Sequence, residues 1–369
     1  MNVRGSKKIP FEDVKRVLIR GTNWIGDVIM SLPAISAVRE TLPHARISVL
    51  AKPWVADIYR LSPDVDEVIL FQSPGIHDGI SGKIRLAGEI KKKNFDLALL
   101  LQNAIEAAII AWWAQIPVRA GYNSDGRGLL LTHSVQRTQE IREIHQVGYY
   151  LEMVKALGFR GGKRNITLSI NDDLRTRAEK LRKQYNVKDE GPLVGIAPGA
   201  NYGPAKMWYP ERFAAVADRL ADEFSAEVML FGSGKDRERT SLVEGHAHHN
   251  LINMAGETGL AEAVSLIAGC DLFISNDSGL MHLAGALDIP LVAIFGSTNP
   301  VATSPVGEKS IVVHRDVNCS PCLKKICPTD FRCMDLIGID DVYNEARKLL
   351  KRHHGIKDQR ITKNFKLET

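Results

Sequence analysis

The chain has 369 residues, enough for two domains of ordinary size, and its 44% apolar and 25% charged residues describe a soluble globular protein. The net charge of +5 is unevenly placed: residues 1–186 carry 28 Lys and Arg against 19 Asp and Glu, and residues 187–369 carry 20 against 24. A basic first half suggests an anionic partner there. Aromatic residues at 7%, not clustered with the basic ones, form no stacking platform and argue against nucleic acid.

The first strand is expected at 15–20, followed by a glycine-containing turn at 21–27. Helical spacing then runs over 28–42, with Pro33 inside it predicting a kink or a late start. Strands at 46–51, 67–71, 96–101 and 118–121 alternate with helices at 54–61, 83–93, 104–114 and 144–157. That alternation argues for a parallel, doubly wound α/β sheet. A charged helix at 172–185 precedes Gly191-Pro192, after which the pattern restarts with a strand at 193–197. Strands at 227–231, 250–254, 271–275 and 291–295 alternate with helices at 210–224, 236–244, 259–269 and 279–287. The reading is two Rossmann-like domains, 1–186 and 187–345, facing a central cleft, with a basic tail over 346–369.

The N-terminus lacks a signal-peptide pattern, since the apolar run Val17-Leu18-Ile19 is too short. The run 97–118 contains Gln102, Asn103, Glu106 and Gln115, so it reads as strand and helix rather than a membrane span. The expected location is cytoplasmic, with peripheral contact to a membrane from that side. Cys319, Cys322, Cys327 and Cys333 are spaced C-x2-C-x4-C-x5-C, which differs from paired zinc knuckles and is interrupted by Pro321 and Pro328. A metal site, a disulfide and a loop of reduced thiols all stay open.

Several familiar motifs fail. In Phe231-Gly-Ser-Gly-Lys235 the first glycine of a P-loop would be Met229, and Asp236 replaces the Ser or Thr. Three strand-end loops remain. The first ends in Gly26-Asp27, where a carboxylate can take a proton from an incoming hydroxyl or cap the next helix. The second is 198–208, with Asn201 and glycines that let the backbone approach a ligand, Lys206 as a point charge for phosphate, and Trp208 for stacking or packing. The third is 273–286, FISNDSGLMHLAGA, a buried strand running through a polar turn into a helix. The helix N-terminus near Ser278 and Gly279 favours an anion, whereas Asp277 suits sugar hydroxyls better than phosphate. His282 lies one turn on, and Thr258 opens another helix after a strand.

Together these residues resemble the ADP-heptose:lipopolysaccharide heptosyltransferases, glycosyltransferase family 9, over residues 16–350. The carrying motifs are Arg20-Gly-Thr-Asn-Trp-Ile-Gly-Asp27, Pro198-Gly-Ala with Ala205-Lys206 and Trp208, and Ser275-Asn-Asp-Ser-Gly-Leu-Met-His282. The 198–206 loop and Cys319-Ser-Pro-Cys322 look most like the heptosyltransferase II branch. Met207 and Tyr209 depart from the usual Lys-x-Trp-Pro of the family. The resemblance implies a GT-B fold and an inverting, metal-independent transfer from ADP-heptose to the first heptose of a phosphorylated Kdo–lipid A acceptor, with no cofactor. It implies Asp27 as general base, Lys206 on the diphosphate and Asp277 on the donor sugar. Ser278, Gly279 and His282 would support the departing ADP, with Thr258 and Asn201 as further donor contacts. Arg127 and His145 are acceptor candidates. A related glycosyltransferase with another donor or acceptor, and a nucleotide-sugar epimerase of the same fold, are the alternatives.

Overall fold

The computed structural model describes residues 3–4, 8–162, 166–188 and 190–353. They fall into two compact units, one of residues up to 172 together with Val301–Val306, the other of 173–300 and 307 onward. No helix among the described residues is long and apolar enough to cross a membrane.

The first unit is built on β1 (Val3–Arg4), β2 (Arg16–Arg20), β3 (Arg46–Ala51), β4 (Glu67–Leu70), β5 (Leu97–Leu100), β6 (Val118–Tyr122) and β7 (His133–Val135). Their order is β1-β7-β6-β5-β2-β3-β4, and every pairing is parallel except β1 with β7. Strands such as Leu97–Leu100 are apolar throughout because both faces are covered, as a parallel sheet requires. The helices are α1 (Ile25–Thr41), α2 (Ala56–Arg60), α3 (Gly79–Lys91), α4 (Ile105–Trp113), α5 (Gln139–Glu143) and α6 (Gln146–Ala156). Helix α1 packs on α6, and α3 on α4. Leu86 and Ile90 of α3 and Ala107 and Ala111 of α4 close over Leu18, Ala98 and Leu100 of the sheet.

The second unit carries β8 (Leu193–Ala197), β9 (Glu227–Leu230), β10 (Ile252–Asn253), β11 (Leu272–Asn276), β12 (Leu291–Ile294) and β13 (Ser310–Val313). Their order is β10-β9-β8-β11-β12-β13, all parallel. The remaining helices are α7 (Asp172–Gln184), α8 (Pro210–Phe224), α9 (Arg237–His246), α10 (Leu260–Ala268), α11 (Gly279–Ala286), α12 (Pro300–Thr303), α13 (Arg332–Asp335) and α14 (Ile339–His353). In each unit the winding reverses once, between β2 and β5 and between β8 and β11. Open parallel sheets bind ligands at such reversals, beyond the carboxyl ends of the strands.

Four local features differ from the sequence reading. Helix α1 begins at Ile25 and continues through Pro33 without a break. Asp27 therefore lies within its first turn. The short edge strands β1, β7 and β13 carry too few residues to show a period. The division falls at 172/173 rather than 186/187, because Ala178 of α7 packs with Leu193 and Leu266, and Ser265 Oγ donates to the Leu174 carbonyl at 3.2 Å. Residues 346–353, expected in a basic tail, are the last turns of α14, with Ala346, Leu349 and Leu350 buried. Residues 354–369 lie outside the described residues.

Candidate functional site

The loops leaving β8 and β11 flank the reversal in the second sheet, and their side chains interlock. Lys206 Nζ donates to Asp277 Oδ2 at 2.6 Å, and Thr298 Oγ1, from the loop after β12, donates to the same oxygen at 2.6 Å. Asp277 is 3% exposed, so its charge is held by these two partners rather than by water. Among the described residues Asp277 Oδ1 and two of the three Lys206 protons have no hydrogen-bond partner. Lys206 Nζ also sits 5.0 Å from the Tyr202 ring centroid. Ser278 caps α11, its Oγ accepting from Met281 N at 3.4 Å, while Ser275 Oγ lies 3.0 Å from Ser278 Oγ. Gly279 opens the helix, where backbone N–H groups lack intrahelical partners. His282 lies buried one turn below.

Asn276 fastens the two loops. Its Nδ2 donates to Pro198 O at 2.7 Å, and its Oδ1 accepts from Trp208 N at 2.9 Å. Trp208 is fully buried and its indole N–H donates to Ile337 O at 2.9 Å, so it packs in the core and is not a stacking surface. Arg239 donates to Pro198 O at 2.8 Å and also to Trp208 O. The segment once resembling a P-loop is a helix cap: Asp236 Oδ2 accepts from Ser233 N and Oγ. It presses on the Lys206 loop, where a Cβ on Gly199 would meet Asp236 Oδ1 at 2.2 Å. Thr258 is half-buried beside Gly256, whose backbone abuts Gly234. Asn201 is exposed on the Lys206 loop.

The cysteine loop braces this arrangement from outside. Tyr202 OH donates to Leu323 O at 2.6 Å, and Ala205 N donates to Lys325 O at 3.0 Å. Gly203 has φ +154°, and a Cβ there would meet Lys325 O at 2.5 Å. On the other side Leu323 N donates to Ser297 O at 2.8 Å and Ser320 Oγ to Gly296 O at 2.6 Å. The loop thus touches both segments that supply the partners of Asp277. The five cysteines are free thiols. Among the described residues no three His, Cys, Asp or Glu side chains are grouped to hold a metal ion.

In the first unit Asp27 is half-buried in the first turn of α1. Burial, and secondly the Asp27 charge, push the Tyr150 hydroxyl well above its ordinary pKa, so a neutral phenol stands beside the carboxylate. Two cations cluster at the same strand edge. Arg20 is fully buried over the Phe71 ring, with its pKa lowered to about 10 by burial. Lys52 Nζ lies 3.8 Å from the centroid of that ring and donates to Ser73 O at 2.7 Å. Burial, then the Arg20 charge, lower its pKa. Among the described residues neither cation has a carboxylate within ion-pair distance. The Arg20 guanidinium donates to the carbonyls of Gly21 and Leu50 and to Asn23 Oδ1, so it is held inside the fold and adds its charge to that of Lys52 from within.

The two acceptor candidates are engaged in the fold. Arg127 is completely buried, donating to the carbonyls of Tyr122 at 2.7 Å, of Leu100 at 3.3 Å and of Gln102. Its guanidinium is a strut between β5 and β6 and does not reach a surface. His145 caps α6: Nδ1 accepts from Val147 N at 3.2 Å, which leaves Nε2–H to donate to Ser304 O at 2.9 Å. The structure therefore brings Lys206, Asp277 and Ser278–Gly279 together with Asn276 and Thr298, which the sequence reading assigned no role.

A sequence profile of glycosyltransferase family 9 (heptosyltransferase) matches residues 83–331. The chain is 32% identical over 313 residues to lipopolysaccharide heptosyltransferase 2 of Salmonella typhimurium, covering 81% of this chain and 88% of that one. It is 33% identical over 325 residues to lipooligosaccharide heptosyltransferase 2 of Haemophilus ducreyi, with the same coverage. Among solved structures it is similar to Escherichia coli ADP-heptose lps heptosyltransferase II, with a TM-score of 0.78 and 29% identity over 92% of this chain and 99% of that one. A glycosyl transferase family 9 protein of Veillonella parvula superposes with a TM-score of 0.81 at 25% identity, over 92% and 97% of the two chains.

Proposed function

The chain belongs to glycosyltransferase family 9, the heptosyltransferases, and has its two-lobed GT-B architecture; from that premise we propose that it moves L-glycero-D-manno-heptose from ADP-heptose to the first heptose of a phosphorylated Kdo–lipid A core, with inversion. The observation that carries this reading is the Lys206–Asp277–Thr298 group at the strand reversal, beside the open N-terminus of α11. Leaving-group charge develops on the diphosphate, and Lys206 with the Gly279 end of α11 supplies positive potential where it develops. Asp277, with Oδ1 open, accepts from hydroxyls of the donor sugar. Thr258 and Asn201 lie on strand-end loops of the same unit and add donor contacts.

On the first unit Asp27 removes the proton of the attacking acceptor hydroxyl as the new glycosidic bond forms and the bond to ADP breaks. Lys52, with the buried charge of Arg20 beside it, gives that edge the charge to hold acceptor phosphate. Arg127 and His145 act as positioning residues that set the β5–β6 edge and the start of α6. The enzyme works on the cytoplasmic side, at a membrane carrying its acceptor. The test is transfer from ADP-heptose to truncated lipopolysaccharides bearing no, one or two heptoses. Product confined to the one-heptose acceptor supports the reading; transfer to the heptose-free acceptor, or ADP release without acceptor as an epimerase would allow, refutes it.

A further inference from the structure

Two indole rings stand exposed at the carboxyl edge of the first sheet, on chain that is itself fixed. Trp24 and Trp54 are 61% and 50% exposed, on the segments that follow β2 and β3. Those strands pair in parallel, so both segments leave the sheet at the same edge. Each residue between β2 and Trp24 is tied down. Gly21 N donates to Leu50 O at 3.1 Å, and Thr22 N donates to the Tyr59 hydroxyl at 2.9 Å. Asn23 Oδ1 accepts from Arg20 Nη2 at 3.1 Å, and Asn23 O accepts from the Trp54 indole N–H at 2.8 Å. The last bond joins the two segments and holds the Trp54 ring beside the backbone that leads into Trp24. A rigid loop that presents a large ring to solvent has already lost the freedom that binding would otherwise take from it, and offers a flat apolar face.

The charges at this edge are of both signs. Lys83 Nζ pairs with Glu106 Oε2 at 2.6 Å, and Asp78 Oδ2 accepts from Gly75 N at 2.8 Å. Lys52 Nζ stands 5.8 Å from the Trp54 ring centroid, and Asp27 lies in the first turn of α1, of which Trp24 is the N-cap. A partner of one sign gains little from such a mixture. A polyhydroxylated ring uses all of it: its C–H face lies flat on an indole, while its hydroxyls donate to carboxylates and accept from ammonium groups. We propose that Trp24, with Trp54 beside it, is the surface on which the pyranose ring of the acceptor saccharide stacks. Trp24 and Asp27 are three positions apart, about one helical turn, so a ring lying on this indole brings its hydroxyl edge to the carboxylate. The inference deepens the proposed function and rests on it for the identity of the saccharide.

The experiment uses the full-length protein and a deacylated core oligosaccharide bearing one heptose. Without donor, binding is read from intrinsic tryptophan fluorescence, which a sugar ring lying on an exposed indole alters; with ADP-heptose, transfer is read as KM and kcat. Trp24→Ala should weaken saccharide binding and raise the acceptor KM, each about tenfold, with an unchanged melting temperature and an unchanged donor KM. Trp24→Phe keeps an aromatic face, so it should bring the acceptor KM back to within about threefold of wild type while the fluorescence change shrinks. An acceptor KM equal in wild type and Trp24→Ala overturns the proposal, and so does a fall in kcat alone, which would make Trp24 a support of α1. Failure of Trp24→Phe to restore binding, or a wild-type protein that does not bind the saccharide, overturns it as well. Wild-type protein that binds the saccharide with a fluorescence change dependent on Trp24, yet transfers no heptose, refutes the proposed function and supports the stacking surface.

Discussion

Lys206 and Asp277 stand 71 positions apart in the chain and meet at 2.6 Å, in a pair whose side chains are 14% and 4% exposed. The pair makes Lys206 both a donor-site cation and the counter-charge of a buried carboxylate. Lys206→Ala should therefore cost stability, about 3 kcal/mol, as well as donor affinity. Urea denaturation with ADP titration separates the effects. A variant with full stability and full ADP affinity would show the pair to be inconsequential.

Thr298 holds the same oxygen at 2.6 Å without carrying charge. Thr298→Val keeps the shape and removes the hydroxyl. It should lower stability by about 1 kcal/mol and raise the KM for ADP-heptose, because Asp277 loses one of its two anchors. An unchanged KM would mean that Lys206 alone orients the carboxylate.

Asp27 is proposed to act in the chemical step alone. Asp27→Asn should lower kcat by about a hundredfold to ten-thousandfold and leave ADP-heptose affinity within about twofold. Equilibrium binding and single-turnover transfer are the two measurements. Retained turnover would remove Asp27 from the role of base.

Lys52, on the first unit, is proposed to hold acceptor phosphate. Lys52→Ala should raise the KM for a phosphorylated acceptor about tenfold, while the KM for the donor stays the same and the difference shrinks for a dephosphorylated acceptor. Equal effects on both acceptors would rule out a phosphate contact.

Glu223 on α8 ties down α14 through Tyr343, Arg347 and Lys351, with Arg347 Nε at 2.7 Å. Burial raises this carboxyl, but the hydrogen bond from Tyr343 and the contacts of Arg347 and Lys351 outweigh it, and the folded pKa lies below the ordinary value. A depressed carboxylate pKa contributes stability above the unfolded pKa, and that contribution is lost as pH falls through the folded one. The stability gap between wild type and Glu223→Gln should therefore be full at neutral pH, about 1 kcal/mol, and close below about pH 4.5. Denaturant titrations across that range provide the check, and a gap independent of pH would assign the effect to shape rather than charge.

The parallel strands were legible in the sequence because strands buried on both faces must be apolar throughout, as in Leu193–Ala197 and Leu291–Ile294, and because glycine, proline and polar turns mark their carboxyl ends. The same local chemistry exposed Lys206, Asp277 and Ser278 as residues on strand-end loops. Tertiary structure alone decided what these residues meet. Thr298 on Asp277, Asn276 between two loops, and the cysteine loop against Tyr202 are contacts between segments distant in the chain, and no period or spacing encodes them. It also decided where charge can act: Arg127 is internal because its donors face three carbonyls. Lys52 and Arg20 come to share the Phe71 ring only because β2 and β3 lie side by side. The ends of the second unit were likewise set by packing: the charged helix α7, read into the first domain, and the last turns of α14, read as tail, each bury a narrow apolar stripe in the second unit.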